Sequence, residues 1–249
     1  MKNRISLLVS TLLLICPFIN TATASFTSQD LIGAWNTKVD HATEGRVDAV
    51  ITFAEGYMST TYYSVTDKKF VSTIGGAWSA TGGVITEVVE YHTADPSQVG
   101  TTVTTDFSID GAKLMLGGHS WARIDYGTPG ALAGAYLITG RKRDGELKSR
   151  PVRARKTMKI LSGKRFQWIA YNTDTGEFFG TGGGTYTTEN GKYTEHIDFF
   201  SRDGSRVGAS LEFDFEMDLA KGEWHHSGLS SKGSPIYEVW TVRSILDKR

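Results

Sequence analysis

Cysteine is almost absent from this chain: its one residue, Cys16, falls inside an N-terminal apolar stretch. Once that stretch is removed, no disulfide, thiol nucleophile or Cys-ligated metal is available. Helical periodicity is scarce beyond the same stretch, which excludes a helical bundle. An excess of charge is missing too, because 27 Lys and Arg offset 27 Asp and Glu. That balance gives no general attraction for nucleic acid or anionic membranes, and no nucleic-acid partner is expected. The sequence has no His-x-His pair and no His-Glu-x-x-His, so His196, His225 and His226 imply no metal site. Gly180, Gly182, Gly183 and Gly184 are followed by no Lys-Ser/Thr, so they are not a phosphate loop, and no cofactor is expected. No Gly-x-Ser-x-Gly nucleophile elbow occurs either.

The N-terminus carries an export pattern. Lys2 and Arg4 precede the mostly apolar run Ile5 to Ile19, and Ala22-Thr23-Ala24 supplies small residues for cleavage. Residues 1–24 are read as a signal peptide, cut after Ala24, which makes the protein secreted or periplasmic. The run is short for a membrane span, so no stable span is expected after its removal. Bulky Ile15 before Cys16 argues against lipidation. Loss of Lys2 and Arg4 leaves 25 basic against 27 acidic residues, a net charge of −2. Without disulfides the mature chain must rely on its core, and two units of roughly 110 residues each are large enough to build one.

What the chain does have is a second copy of itself. Shifted by 108 positions, residues 70–113 align with 178–221 without a gap, and 16 of the 44 pairs are identical. Average composition would give roughly three. Conserved pairs include Gly75/Gly183, Gly76/Gly184, Glu87/Glu195 and Asp95/Asp203. The period is too long for a solenoid and matches a whole small domain used twice.

Each copy reads as β-structure. Val207 to Asp218 and Val99 to Asp110 alternate apolar with small or acidic residues, and turn signals recur every 12 to 16 residues, as in successive antiparallel hairpins. The connector Asp125-Tyr-Gly-Thr-Pro-Gly-Ala131 divides a first domain, 25–126, from a second, 131–249. The second has a longer first hairpin, 141–156, with eight basic and two acidic side chains. That run is read as a solvated hairpin, with an anionic ligand or surface as the functional alternative.

Gly33-Ala34-Trp35 opens the first copy and Gly134-Ala135-Tyr136 the second, while Arg123 and Arg243 lie on the last strands. A Gly-x-Trp opening, a meander of hairpins and a closing strand with Arg resemble the lipocalin-like, or calycin, superfamily. Residues 132–243 more specifically resemble lipocalin-like domains of uncharacterised secreted bacterial proteins, through Phe166 to Tyr171, Gly176 to Gly184, Phe199 to Asp203 and Tyr237 to Trp240. The resemblance implies an all-β protein with two tandem antiparallel up-and-down barrels. It also implies a Trp (or Tyr136) stacked beneath a last-strand Arg at each closed end.

Glu87 and Glu195 are the sharpest site candidates. Each shares a strand face with apolar residues, so each carboxyl is expected inside its barrel, bonded, paired or protonated. A structural hydrogen bond is the alternative role. The ligand-lining candidates of the second copy are Trp168, Tyr171, Tyr186, Tyr193, Phe199, Phe213, Trp224 and His225, which would form either a cavity or a filled core. His225 and His226, adjacent on a strand, cannot both turn inward. The expected function is an exported binder of a small apolar or aromatic molecule, with its site in the second barrel. The alternative is a lipocalin-fold hydratase, isomerase or cyclase on a lipid or terpenoid, with Glu195 as acid/base and Tyr171 or His196 nearby. A structural or assembly module is the third reading.

Overall fold

The computed structural model describes residues 26–230 and 233–248, so the signal-peptide reading of 1–24 lies outside the described residues. Among those described, no helix is long and apolar enough to cross a membrane. The first copy consists of β1 (Gly33–His41), β2 (Gly45–Ala54), β3 (Tyr57–Ser64), β4 (Lys69–Thr81), β5 (Val84–His92), β6 (Thr102–Asp110), β7 (Lys113–Leu116) and β8 (His119–Asp125). Each strand pairs antiparallel with the next, and β8 returns to β1 to close a barrel. The second copy consists of β9 (Gly134–Arg143), β10 (Glu146–Ser149), β11 (Arg155–Leu161), β12 (Arg165–Asn172), β13 (Phe178–Glu189), β14 (Lys192–Phe200), β15 (Ser210–Asp218), β16 (Glu223–Leu229) and β17 (Pro235–Val242). Here β17 pairs with β9 to close the barrel, and β10 is an extra strand folded onto the outer part of β9, beyond the reach of β11. The protein is thus all-β, with two closed antiparallel barrels in tandem.

Local chemistry sets the hairpins. Asn190 and Gly191 both have positive φ, 51° and 75°, and join Glu189 to Lys192 as the two-residue turn that matches strand twist. The repeated Gly-Gly pairs have a different role. Pairing of β4 with β5 skips Glu90, and pairing of β13 with β14 skips Asp198, so each copy has a bulge at the same place. A Cβ on Gly76 would lie 1.9 Å from the Val88 carbonyl oxygen, and one on Gly184 1.9 Å from that of His196. Only glycine fits opposite the bulge.

The bulges re-aim the residues beyond them. Tyr91 and Phe199 leave the apolar faces of their strands and turn toward the other barrel. Tyr91 lies 4.8 Å from Tyr171, Phe199 lies 4.9 Å from Tyr63, and Phe70 stacks on Phe178 at 5.9 Å, centroid to centroid. Under the 108-residue shift the Tyr91–Tyr171 contact maps onto Phe199–Tyr63, and Phe70–Phe178 maps onto its own reverse, so the two barrels meet through the same surface, as in a two-fold dimer. At its centre Gln167 Oε1 accepts from Ser59 (2.6 Å) and Thr61 (2.8 Å), while its Nε2 donates to Thr73 (3.1 Å) and Thr181 (3.0 Å). These groups are buried, and the network leaves the Gln167 amide satisfied.

The closed ends differ. In the first barrel the Arg123 guanidinium lies 3.7 Å above the Trp35 ring and donates to the Ile32 and Asp30 carbonyls. In the second, Tyr136 pairs with Val242, as Trp35 pairs with Arg123. Arg243, expected on the last strand, is therefore one residue out of step with the expected stack: it lies just past the end of β17, at the start of a short helical turn, and points away from the barrel interior. It lies 3.6 Å over Tyr57 of the first barrel and donates twice to Glu90, at 2.8 Å each. Gly33 (φ 118°) and Gly134 (φ 148°) open their strands with backbone that other residues rarely adopt.

Candidate functional site

Inside the second barrel lies a cavity of about 520 Å³. Strand alternation explains its lining. Thr157 and Lys159 face inward from β11, Trp168 and Ala170 from β12, Phe213 from β15, His226 from β16, and Glu238 and Trp240 from β17. Pairing between β9 and β17 skips Thr139, so that Ile138 and Arg141, rather than Gly140, reach the lumen. The bulge at Asp198 likewise turns Phe200 inward, where its ring meets Trp168 edge-on at 5.6 Å.

Glu195 lines this cavity, and its partner is a residue that the sequence reading missed. Lys159 Nζ donates to Glu195 Oε1 at 2.9 Å, and Tyr193 Oη donates to the same oxygen at 2.9 Å. Both side chains of the ion pair are within a few per cent of full burial, at 5% and 6% exposure. The ammonium sits in an aromatic box, 4.8 Å from the Tyr193 and Trp224 ring centroids and 5.2 Å from that of Trp240. Desolvating two charges is costly, and the hydrogen bonds and ring faces offset part of that cost. A signal for Lys159 was present: it interrupts the apolar run Met158-Lys159-Ile160-Leu161. The other face of that run, Met158 and Ile160, packs at the barrel interface.

A second polar pair lies on the far wall. His226 is 2% exposed, and neither ring nitrogen has a hydrogen-bond partner among the described residues. Its Nδ1 is 3.6 Å from Glu238 Oε2, too long for a hydrogen bond. Burial, reinforced by the Lys159 charge, pushes the imidazole below its ordinary pKa, so it is neutral at physiological pH. Glu238 pairs with Arg141 and accepts from Trp240 Nε1 at 3.1 Å. Burial alone would raise its carboxyl, but the Arg141 and Lys159 charges beside it hold it below its ordinary value.

The mouth is cationic. Arg141, Arg150, Arg155 and Arg202 line it, and an adjoining hollow of about 480 Å³ is lined by Arg141, Arg143, Lys148, Ser149, Arg150 and Arg155. Burial and the neighbouring Arg141 and Arg155 charges lower the Arg150 pKa. Three arginines of the run expected to be a solvated hairpin, Arg141, Arg150 and Arg155, thus line the cavity instead.

Several expected lining residues lie elsewhere. Tyr171 is outward, since Trp168 and Ala170 take the inward positions on its strand. Its hydroxyl donates to Glu90 at the barrel interface. Phe199 is at the same interface. Tyr186 lies in the core with its hydroxyl on the Ser162 carbonyl at 2.6 Å, and Trp224 is a fully buried wall of the aromatic box. His225 faces out, with Nδ1 2.9 Å from Tyr237 Oη, and His196 is exposed beside Ser210. Trp168, Phe213 and Glu195 are the expected residues that do line the cavity, with Tyr193 just behind Glu195.

The first barrel is built differently at the matching positions. Ile51 stands where the second has Lys159, and Tyr62 where it has Ala170. Glu87 faces this packed interior with Oε1 lacking a hydrogen-bond partner, and burial pushes its carboxyl up to about 7. Among the described residues no group of three or more His, Cys, Asp or Glu side chains could hold a metal ion. Comparison with known proteins finds no family whose model matches the chain and no curated protein that matches it.

Proposed function

We propose that the protein is an exported, lipocalin-like binder of a small molecule with an apolar or aromatic body, held in the second barrel. The observation that carries this reading is the cavity of about 520 Å³. Its size lies within the range that encloses drug-sized ligands, and it combines aromatic walls with a few convergent polar groups. Lys159, Glu195 and His226 would orient the guest, and Trp168, Phe213 and Trp240 would cover its body. Glu195 is already engaged by Lys159 and Tyr193, an arrangement suited to anchoring a polar group.

The test is titration with N-phenyl-1-naphthylamine, a neutral aromatic probe that fluoresces when desolvated. One molecule per chain is expected to bind. Ala170→Tyr, which installs the residue found at Tyr62 of the first barrel, is expected to remove that binding while leaving the circular dichroism spectrum unchanged. Absence of binding to the wild-type protein, or binding that survives in the variant, would overturn the reading.

A further inference from the structure

The cavity has two chemically distinct ends. Five cations, Arg141, Arg150, Arg155, Arg202 and Lys159, line it against two carboxylates, Glu195 and Glu238, leaving an excess of three positive charges with His226 neutral. The excess is not spread evenly. Lys159 is matched by Glu195 deep in the lumen, and Arg141 by Glu238. Arg150, Arg155 and Arg202 at the mouth form no ion pair among the described residues. Arg155 instead lies 4.2 Å over the Phe179 ring, and Arg202 donates to the Phe179 carbonyl at 2.9 Å. Three guanidinium groups therefore converge on one opening without a carboxylate of their own, and each retains donors that an anion could use. Like charges gathered this closely repel one another, and a bound anion relieves that repulsion.

We infer that the ligand is an anionic amphiphile whose acidic group is held at the mouth by Arg150, Arg155 and Arg202, with its apolar body lying in the lumen toward His226. This rests on the proposed binding role and adds the charge, polarity and orientation of the guest. His226 supplies the second polar contact: a buried imidazole with both nitrogens unpartnered can serve a single hydroxyl or carbonyl at the inner end of the ligand. A guanidinium fork suits carboxylate, sulfonate and phosphate alike.

The matched probes are 1-anilinonaphthalene-8-sulfonate and N-phenyl-1-naphthylamine, which differ only in the sulfonate. In low salt the anionic probe is expected to bind about tenfold or more tightly than the neutral one. In Arg150→Gln/Arg155→Gln the preference is expected to fall to within about twofold, with affinity for the neutral probe retained. Equal affinities in the wild-type protein, or a sulfonate preference that persists in the double variant, would overturn the inference while leaving the binding role intact. Failure of both probes to bind would instead remove the binding role itself. Decanoate is expected to displace the anionic probe and decanol to do so more weakly. Phosphatidylglycerol vesicles that bind the protein without displacing the probe would assign the arginines to a membrane surface and overturn the inference.

Discussion

Replacing Glu87 by Gln should make the protein more stable as pH rises. Glu87 lies in the first barrel at 9% exposure, and burial raises its carboxyl from 4.5 to about 7. The ionisable groups that sense it are the Tyr62 and Tyr91 hydroxyls, both kept neutral by burial, and Ile51 stands where the second barrel has a lysine. The folded state therefore binds this proton more tightly than the unfolded state does. The favourable contribution is complete below pH 4.5, declines above it and is lost once pH has risen through about 7. The gap between those values corresponds to about 3 kcal/mol. Glutamine keeps the shape and removes the titration. The variant should thus match the wild type near pH 4 and gain up to about 3 kcal/mol on it by pH 8. For a chain of this size that is a rise in Tm of roughly 6–12 °C. Urea melts of both proteins between pH 4 and pH 8 measure the difference directly. A difference that stays flat across that interval would refute the reasoning, since it would mean that Glu87 is paired or solvated in the folded state.

Other perturbations follow from the same physics. Lys159→Met leaves Glu195 buried without its cation and is expected to cost about 3–5 kcal/mol in urea unfolding, and adding Glu195→Gln should recover much of that loss. Gly184→Ala places a methyl group against the His196 carbonyl oxygen at the bulge, and a loss of about 3 kcal/mol is expected by the same measurement. Arg243→Ala strips Glu90 of its bidentate partner at the barrel interface, so a loss of about 3–5 kcal/mol is expected, diminished when Glu90→Gln is added.

Regular features were legible in the sequence. The 108-residue shift revealed the two copies, alternation revealed the strands, and the placing of Glu87 and Glu195 beside apolar residues put both carboxyls inside. Irregular features were not. A bulge moves every side chain beyond it to the other face, and the skipped residues Glu90, Thr139 and Asp198 carry no local mark except the glycines opposite two of them. For that reason Phe199 lands on the opposite face from the one alternation implies, and Arg141 reaches the lumen rather than solvent. Tyr171 and His225 failed on parity alone: each is one position from the residue that faces the lumen, Ala170 and His226. Arg243 is also one position out, beside Val242, because it falls just past the end of β17. Lys159 was detectable as a charge within an apolar run, but only the closed barrel reveals that Glu195 waits across from it.

The face through which the two barrels meet is its own complement, and that has an evolutionary corollary. A single-copy ancestor bearing such a face could have associated with itself, at a strength governed by its concentration. Joining the copies in one gene makes the partner permanently present and removes dilution as a cause of dissociation. It also frees the halves to diverge, because a change in one is no longer imposed on the other. Tyr62 and Ile51 on one side, and Ala170 and Lys159 on the other, record that freedom: one half is solid and the other hollow.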